Sequence, residues 1–183
     1  MPFKVNQRHT IRRGRVFDIT VENVTLSNGV TIDLEILRHP GAAAIVPLLA
    51  DNRVVMLKQY RHAAGQFMWE IPAGTLNGDE TPLVCAQREL VEETGYSAAA
   101  WESMGAVTPV PGYSDEKIHL YLARDLTPAA QNLDPDEILE VHPLPLEEVV
   151  AMITDGRIHD AKTIAGIFLT MQRKGNPGEV NRY

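Results

Sequence analysis

The stretch TPLVCAQRELVEETG, from Thr81 to Gly95, constrains this chain more than any other. Proline just past a threonine suits the first turn of a helix and glycine ends one, so the spacing predicts a helix over 81–94. At about 100° per residue, Glu89, Glu92 and Glu93 fall within one arc of roughly 100°. Leu83, Val84, Leu90 and Val91 gather on the opposite side and are expected to face a core. Three carboxylates then crowd the last turns of a helix, where the negative end of the helix and their mutual repulsion both disfavour them. A bound divalent cation reverses both penalties, and all-oxygen donors suit magnesium or manganese. The bland alternative is a solvated acidic face on which Arg88 pairs with Glu92 at i,i+4.

The residues around this helix read as strands and further helices. Phe17, Ile19 and Val21 alternate with Asp18, Thr20 and Glu22, a half-buried strand with its apolar side inward. Asn28-Gly29 marks a two-residue hairpin turn, after which Val30, Ile32, Leu34 and Ile36 alternate with polar neighbours. Two strands alone are marginal and need a covering surface. A second hairpin, 43–49 and 54–60 about Asp51-Asn52, is more continuously apolar, as a central two-sided position requires. Strands are expected over 118–123 and 138–144, and helices over 146–153 and 160–174. Strands and helices mix without strict alternation, which defines an α+β class with a mixed sheet. The chain divides into a hairpin segment, 1–38, and a main domain, 39–183, with a loosely ordered tail over 175–183.

Composition narrows the function. The 183 residues carry a formal net charge of −7, which argues against broad binding to a nucleic-acid backbone. No run of about 18 apolar residues occurs, so no membrane span is expected. The basic N-terminus lacks the apolar core of a secretory signal. One cysteine, Cys85, excludes an internal disulfide and fits a reducing compartment, so the expected location is cytoplasmic. The histidines show no metal-ligand spacing, which argues against a zinc site.

A second pattern overlies the helix. Gly74, five residues, Glu80, seven residues, and then Arg88-Glu89-Leu90-Val91-Glu92-Glu93-Thr94-Gly95-Tyr96 resembles the Nudix box at every defined position over 23 residues. The resemblance implies a Nudix-type α/β/α sandwich with a mixed β-sheet, preceded by an N-terminal antiparallel β-hairpin. It implies a loop–helix–loop whose Mg²⁺ or Mn²⁺ ions activate water against a pyrophosphate. Glu89 and Glu93 would be principal metal ligands, with Glu92 and the backbone carbonyl of Ala73 assisting. Arg88 would orient a box carboxylate, and Glu80 would steady the loop.

Other runs resemble the ADP-ribose pyrophosphatase and nucleoside diphosphate sugar hydrolase branch of that family. Pro111-Gly112-Tyr113-Ser114-Asp115-Glu116 begins sixteen residues beyond Gly95. Gln59-Tyr60-Arg61, Trp69-Glu70-Ile71-Pro72-Ala73-Gly74, Leu144-Pro145-Leu146-Glu147-Glu148-Val149 and Asp160-Ala161-Lys162-Thr163 fit the same branch. This implies that Arg61 contacts a substrate phosphate or ribose, that Glu70 contacts the sugar or base, and that Pro111 and Ser114 shape a terminal-ribose pocket. Plainer readings are a surface ion pair for Arg61, a structural role for Glu70 and an ordinary turn at Pro111 and Ser114. The first candidate reaction is ADP-ribose to AMP and ribose 5-phosphate; GDP-mannose or another nucleotide sugar is the alternative. A non-catalytic Nudix ligand-binding module is the rival class, disfavoured by intact Glu80, Glu89, Glu92 and Glu93.

The acidic loop Asn132 to Glu137 precedes the 138–144 strand. Related enzymes carry a glutamate on such a loop, as general base or as an extra metal ligand. Glu137 fits best, with Asp134, Asp136 and Glu140 as alternatives. Relatives of this branch are dimers that exchange the N-terminal segment, so a homodimer acting on a small-molecule nucleotide sugar is expected.

Overall fold

The basic N-terminal segment, which carries no strand signal in its sequence, forms a strand. In the computed structural model, which describes residues 3–175, β1 (Phe3–Arg13) pairs antiparallel with β2 (Asp18–Leu26), and β2 pairs antiparallel with β3 (Thr31–Arg38). The expected hairpin is thus two strands of a three-stranded sheet. Its loop holds three residues rather than two. Leu26 N–H donates to Val30 O at 2.8 Å, Gly29 takes the left-handed conformation at φ 83, and the Asn28 side chain accepts from Val30 N–H.

The buried side of β2 also differs from expectation. Thr20, Glu22 and Val24 are buried, whereas Ile19 and Val21 are half-buried and Phe17 is exposed. A carboxylate tolerates burial when it is paired, and Glu22 bonds both Arg8 (2.6 Å) and Arg38. Among the described residues, 3–41 and Thr108–Lys117 form one compact unit. Within it, Leu37 N–H donates to Tyr113 O at 2.8 Å, Arg38 bonds Asp115 at 2.8 Å, and Leu37 and Ser114 make a parallel bridge.

Among the described residues, Ala42–Val107 and 118–175 form the second unit. Its elements are β4 (Ala42–Pro47), β5 (Arg53–Arg61), β6 (Gln66–Glu70), β7 (Ala73–Thr75), α1 (Pro82–Thr94), β8 (Tyr96–Val107), β9 (Ile118–Pro128), β10 (Leu139–Pro145), α2 (Leu146–Thr154) and α3 (Ala161–Gly175). The strands form two sheets, ordered β10-β5-β6 and β7-β4-β9-β8. The β4–β9 pair is parallel and its neighbours are antiparallel, so the sheet is mixed.

Every residue of β4 is buried, and alternate residues enter different cores. Ala42, Ala44 and Val46 pack with Leu120, Leu122, Val149 and Met152 of α2, and Ile167 of α3. Ala43 and Ile45 pack with Cys85, Ala86 and Leu90 of α1. Helices therefore cover both faces, as in an α/β/α sandwich. Gly166 sets the approach of α3, because a β-carbon there would come 3.0 Å from the Ile71 and Val46 side chains.

Helix α1 begins at its threonine cap, where Thr81 Oγ1 accepts from Val84 N–H, and ends at Gly95 with φ 70. Its buried stripe departs from the expected one. Leu83 and Val84 are exposed and Val91 is half-buried, while Cys85, Ala86, Glu89, Leu90 and Glu93 are buried. The small residues at 85 and 86 let the helix lie close to the strands, and this carries Glu89 and Glu93 inward. Among the described residues no helix is long and apolar enough to cross a membrane. The tail expected to be loosely ordered lies, from residue 176 on, outside the described residues.

Candidate active site

Strand β7 pairs with β4 through Ala43–Gly74 and Ala44–Ala73, beneath α1. Two contacts tie it to the helix. Glu93 Oε2 accepts from the Ala73 amide at 2.8 Å. A β-carbon on Gly74 would stand 1.8 Å from Glu89 Oε1, so glycine is what admits that carboxylate. Burial pushes the Glu93 carboxyl up to about 8, reinforced by the charge of Glu89 and only partly offset by the Ala73 amide. Burial raises Glu89 as well, against the opposing effect of Arg88.

Arg88 is the hub of the box. Its guanidinium bonds Glu80 (2.8 Å), Glu89 (2.6 Å) and Glu92 (2.9 Å), and also donates to Thr75 O. The bland i,i+4 pair with Glu92 is therefore present, as one spoke of a larger network. Glu80 in turn accepts from Asn77 N–H at 2.7 Å, which closes the loop ahead of α1. Among the described residues no three acidic, histidine or cysteine side chains are drawn together as a formed metal centre. Arg88 is the cation that Glu89 and Glu92 share.

The donor set nevertheless fits a hard divalent cation. Glu89 and Glu93 are buried carboxylates on successive turns, both pushed toward the neutral form, and among the described residues Glu93 has one backbone amide and no ion pair. Buried carboxylates of this kind gain most from a cation, and an all-oxygen set favours magnesium-like ions over zinc.

The acidic loop is stitched to the C-terminal end of α1. Gln131 Nε2 donates to Glu93 O at 2.6 Å, Asn132 N–H to Glu92 O at 3.1 Å, and Ala129 N–H to Gly95 O at 2.7 Å. These bonds satisfy carbonyls that the helix leaves open. Gln131 had no sequence signal, because a helix-end carbonyl is a backbone partner. Glu137 is half-buried, accepts from Asp134 N–H at 2.9 Å, and adds its charge to the rise at both Glu89 and Glu93. Asp134 and Asp136 are exposed on the same loop, and Glu140 is exposed and bonds His142.

Arg61, at the end of β5, grips Glu70 through two bonds of 2.8 Å. Glu70 is only 2% exposed and also bonds Lys162. Burial alone would raise its carboxyl, but the bonds from Arg61 and the charges of Lys162 and Arg61 bring it down to about 2. Asp160 bonds Lys162 at 3.1 Å and caps α3 by accepting from Thr163 N–H and Oγ1, while Thr163 Oγ1 accepts from the Ile71 amide. Pro111 and Ser114 belong to the first unit, where the buried Ser114 Oγ accepts from Glu116 N–H. Cys85 is fully buried, and burial pushes its thiol up to about 12, so it is no nucleophile.

A glycine-gated loop–helix–loop with buried glutamates, set in a mixed sheet covered by helices on both faces, is the frame of a Nudix hydrolase. The NUDIX domain family matches residues 38–167, and the chain belongs to that family. It is 41% identical to the methanol dehydrogenase activator of Bacillus methanolicus, over 92% of this chain and 93% of the relative. It is 37% identical to the ADP-ribose pyrophosphatase of Bacillus subtilis (strain 168), over 90% of each. The crystal structure of an ADP compounds hydrolase shares the fold, with a TM-score of 0.84 over 98% of each chain at 23% identity. Nudix hydrolases generally use divalent cations.

Proposed function

We propose that the protein hydrolyses the pyrophosphate bond of a nucleoside diphosphate sugar, with ADP-ribose, cleaved to AMP and ribose 5-phosphate, as its preferred substrate. The observation that carries the reading is the pair of buried glutamates, Glu89 and Glu93, admitted by Gly74 and held under the box helix. Mg²⁺ or Mn²⁺ held there would neutralise pyrophosphate oxygens and make the attacking water more acidic. Glu89 and Glu93 are the main ligands, with Glu92 and the Ala73 carbonyl completing the set. Arg88 keeps Glu89 and Glu92 in register, and Glu137 takes the proton of the attacking water or serves as a further ligand.

Arg61 meets a phosphate or ribose of the substrate, since a guanidinium suits bidentate anion recognition. Glu70 serves the same contact through Arg61, because its carboxylate is already bonded on both oxygens. Pro111 and Ser114 are assigned to the terminal sugar on the sequence resemblance alone. The protein acts as a homodimer built on its N-terminal sheet, where Phe3, Val5 and Ile11 of β1 and Phe17 and Val30 of the adjoining turns are exposed apolar side chains that a second copy would cover.

The reading is tested by release of AMP from ADP-ribose with Mg²⁺ and its loss with EDTA. ADP-ribose is expected to give the highest kcat/KM in a panel with GDP-mannose, ADP-glucose, UDP-glucose and NADH. A tenfold advantage for GDP-mannose would move the assignment to that sugar and leave the chemistry unchanged.

A further inference from the structure

The run Asp160-Ala161-Lys162-Thr163 has a place in the fold that the proposed chemistry does not use. Lys162 lies in the first turn of α3, where the positive end of the helix disfavours a cation. Its side chain is nevertheless only 11% exposed, held by Glu70 on one side and Asp160 on the other. Glu70 did not need it. Arg61 already bonds both Glu70 oxygens, so this buried carboxylate has two cationic partners.

The two partners differ in their freedom. Lys162 is enclosed, and Asp160 is itself pinned by Thr163, whose hydroxyl accepts from the Ile71 amide. Arg61 has a side chain 41% exposed, and its Nη1 makes no hydrogen bond among the described residues. A buried carboxylate stripped of its only counter-ion is strongly unfavourable. With a single partner, Glu70 would hold that partner fast.

We infer that Lys162 is a positioning residue: it keeps Glu70 neutralised so that the Arg61 guanidinium can turn from Glu70 to a phosphate of the substrate. This rests on the reading of Arg61 as a substrate contact. Lys162 is the fixed counter-ion, Arg61 the exchangeable one, and Asp160 keeps the group of four charges neutral overall.

The test uses the full-length protein with Mg²⁺ and ADP-ribose, reading KM and kcat separately, with melting curves on every variant. Arg61→Ala examines the underlying reading and is expected to raise KM at least tenfold. Lys162→Met is expected to raise KM at least tenfold with kcat within about threefold, because Arg61 becomes the sole partner of Glu70. Adding Glu70→Gln to Lys162→Met is expected to lower KM again, at least threefold below that of Lys162→Met alone, since a neutral amide no longer holds the guanidinium. A lysine that only pinned α3 would lower the melting temperature without this KM rise and recovery.

If Arg61→Ala leaves KM unchanged, the reading of Arg61 fails and this inference falls with it. If Arg61→Ala raises KM but Lys162→Met does not, the inference alone is overturned. It is overturned equally if the KM rise in Lys162→Met persists in the double variant, which would mean that Lys162 touches substrate itself. Should Lys162→Met fail to fold, Lys162→Gln, which keeps a long polar side chain without the charge, is judged by the same criteria.

Discussion

The Glu89 carboxylate fills the space that a β-carbon on residue 74 would need, with only 1.8 Å between Oε1 and that position. The conflict lies with the far end of a flexible side chain, so the fold can absorb it by moving the carboxylate. Gly74→Ala is therefore expected to cost no more than the usual penalty of overpacking, about 1–3 kcal/mol. Activity should suffer far more, with kcat/KM down by about 100-fold or more, roughly 2.7 kcal/mol of lost transition-state stabilisation. Thermal melts and steady-state kinetics on the same preparation check both halves. A variant of near parental activity would show that Glu89 need not stay where Gly74 admits it.

Glu93 links stability to pH and to metal. In the unfolded chain it ionises near 4.5; in the folded, metal-free protein it ionises near 8. Between those values the folded state holds the extra proton, so the stabilising contribution is full below about pH 4.5 and is lost as pH rises through 8. Glu89 shifts in the same direction. Glu70, depressed to about 2, stays ionised in both states above pH 6 and adds no slope there. The increase in melting temperature on adding Mg²⁺ should accordingly be larger at pH 8 than at pH 5.5. Glu93→Gln should abolish turnover and, at pH 8 in EDTA, raise stability by about 1–3 kcal/mol, the order of cost of an ill-compensated buried charge. A magnesium increment that does not change with pH would count against this link.

The box helix was legible because it depends on residue types at fixed spacings, with Thr81 and Gly95 as its ends. Which side of it is buried was not. An apolar count favours Leu83 and Val84, but close packing through Cys85 and Ala86 turns the glutamates inward. The side of β2 that is buried escaped for a related reason: Arg8 and Arg38, far from Glu22 in sequence, supply the charges that let it be buried. Strand β8 runs through Ala98-Ala99-Ala100, which has no polar–apolar alternation, and it exists by pairing with β9. Strand β1 likewise owes its form to β2, where Asn6 bonds Asn23 and Thr25. At the site, helix spacing points to Glu89, Glu92 and Glu93 and the resemblance to the Nudix box adds Glu80 and Arg88, whereas the ties of Lys162 to Glu70 and Gln131 to Glu93 are long-range and leave no local mark.

Removal of residues 1–38 tests the assembly. Every residue of β1 is exposed, including Phe3, Val5 and Ile11. β1 is an edge strand, and an exposed edge that carries apolar side chains is a ready template for pairing with another chain. Light scattering at micromolar concentration should find the full-length protein dimeric and the truncated protein monomeric, with activity lost. A monomeric full-length protein would remove the dimer from the proposal.

The loop carboxylate is the most specific of the catalytic assignments. A water attacking phosphorus must lose its proton, and a carboxylate within reach can take it. The box glutamates are poor candidates, because coordination to a cation lowers their basicity and Arg88 already engages Glu89 and Glu92. Glu137 is held differently. It sits on a loop anchored to the end of α1 by Gln131 and Asn132, its charge bears on both Glu89 and Glu93, and its own bond is to a single loop amide that substrate can displace. Glu137→Gln is expected to lower kcat by roughly 10²- to 10⁴-fold, the usual contribution of a general base, with little change in KM. Rescue of the variant by raised Mg²⁺ or Mn²⁺ would make Glu137 a ligand and place the base elsewhere. A near-parental Glu137→Gln beside an inactive Asp134→Asn or Asp136→Asn would transfer the role within the loop. If all three variants keep full activity, the loop takes no part in the chemistry, and proton removal must be assigned to water or to the box itself.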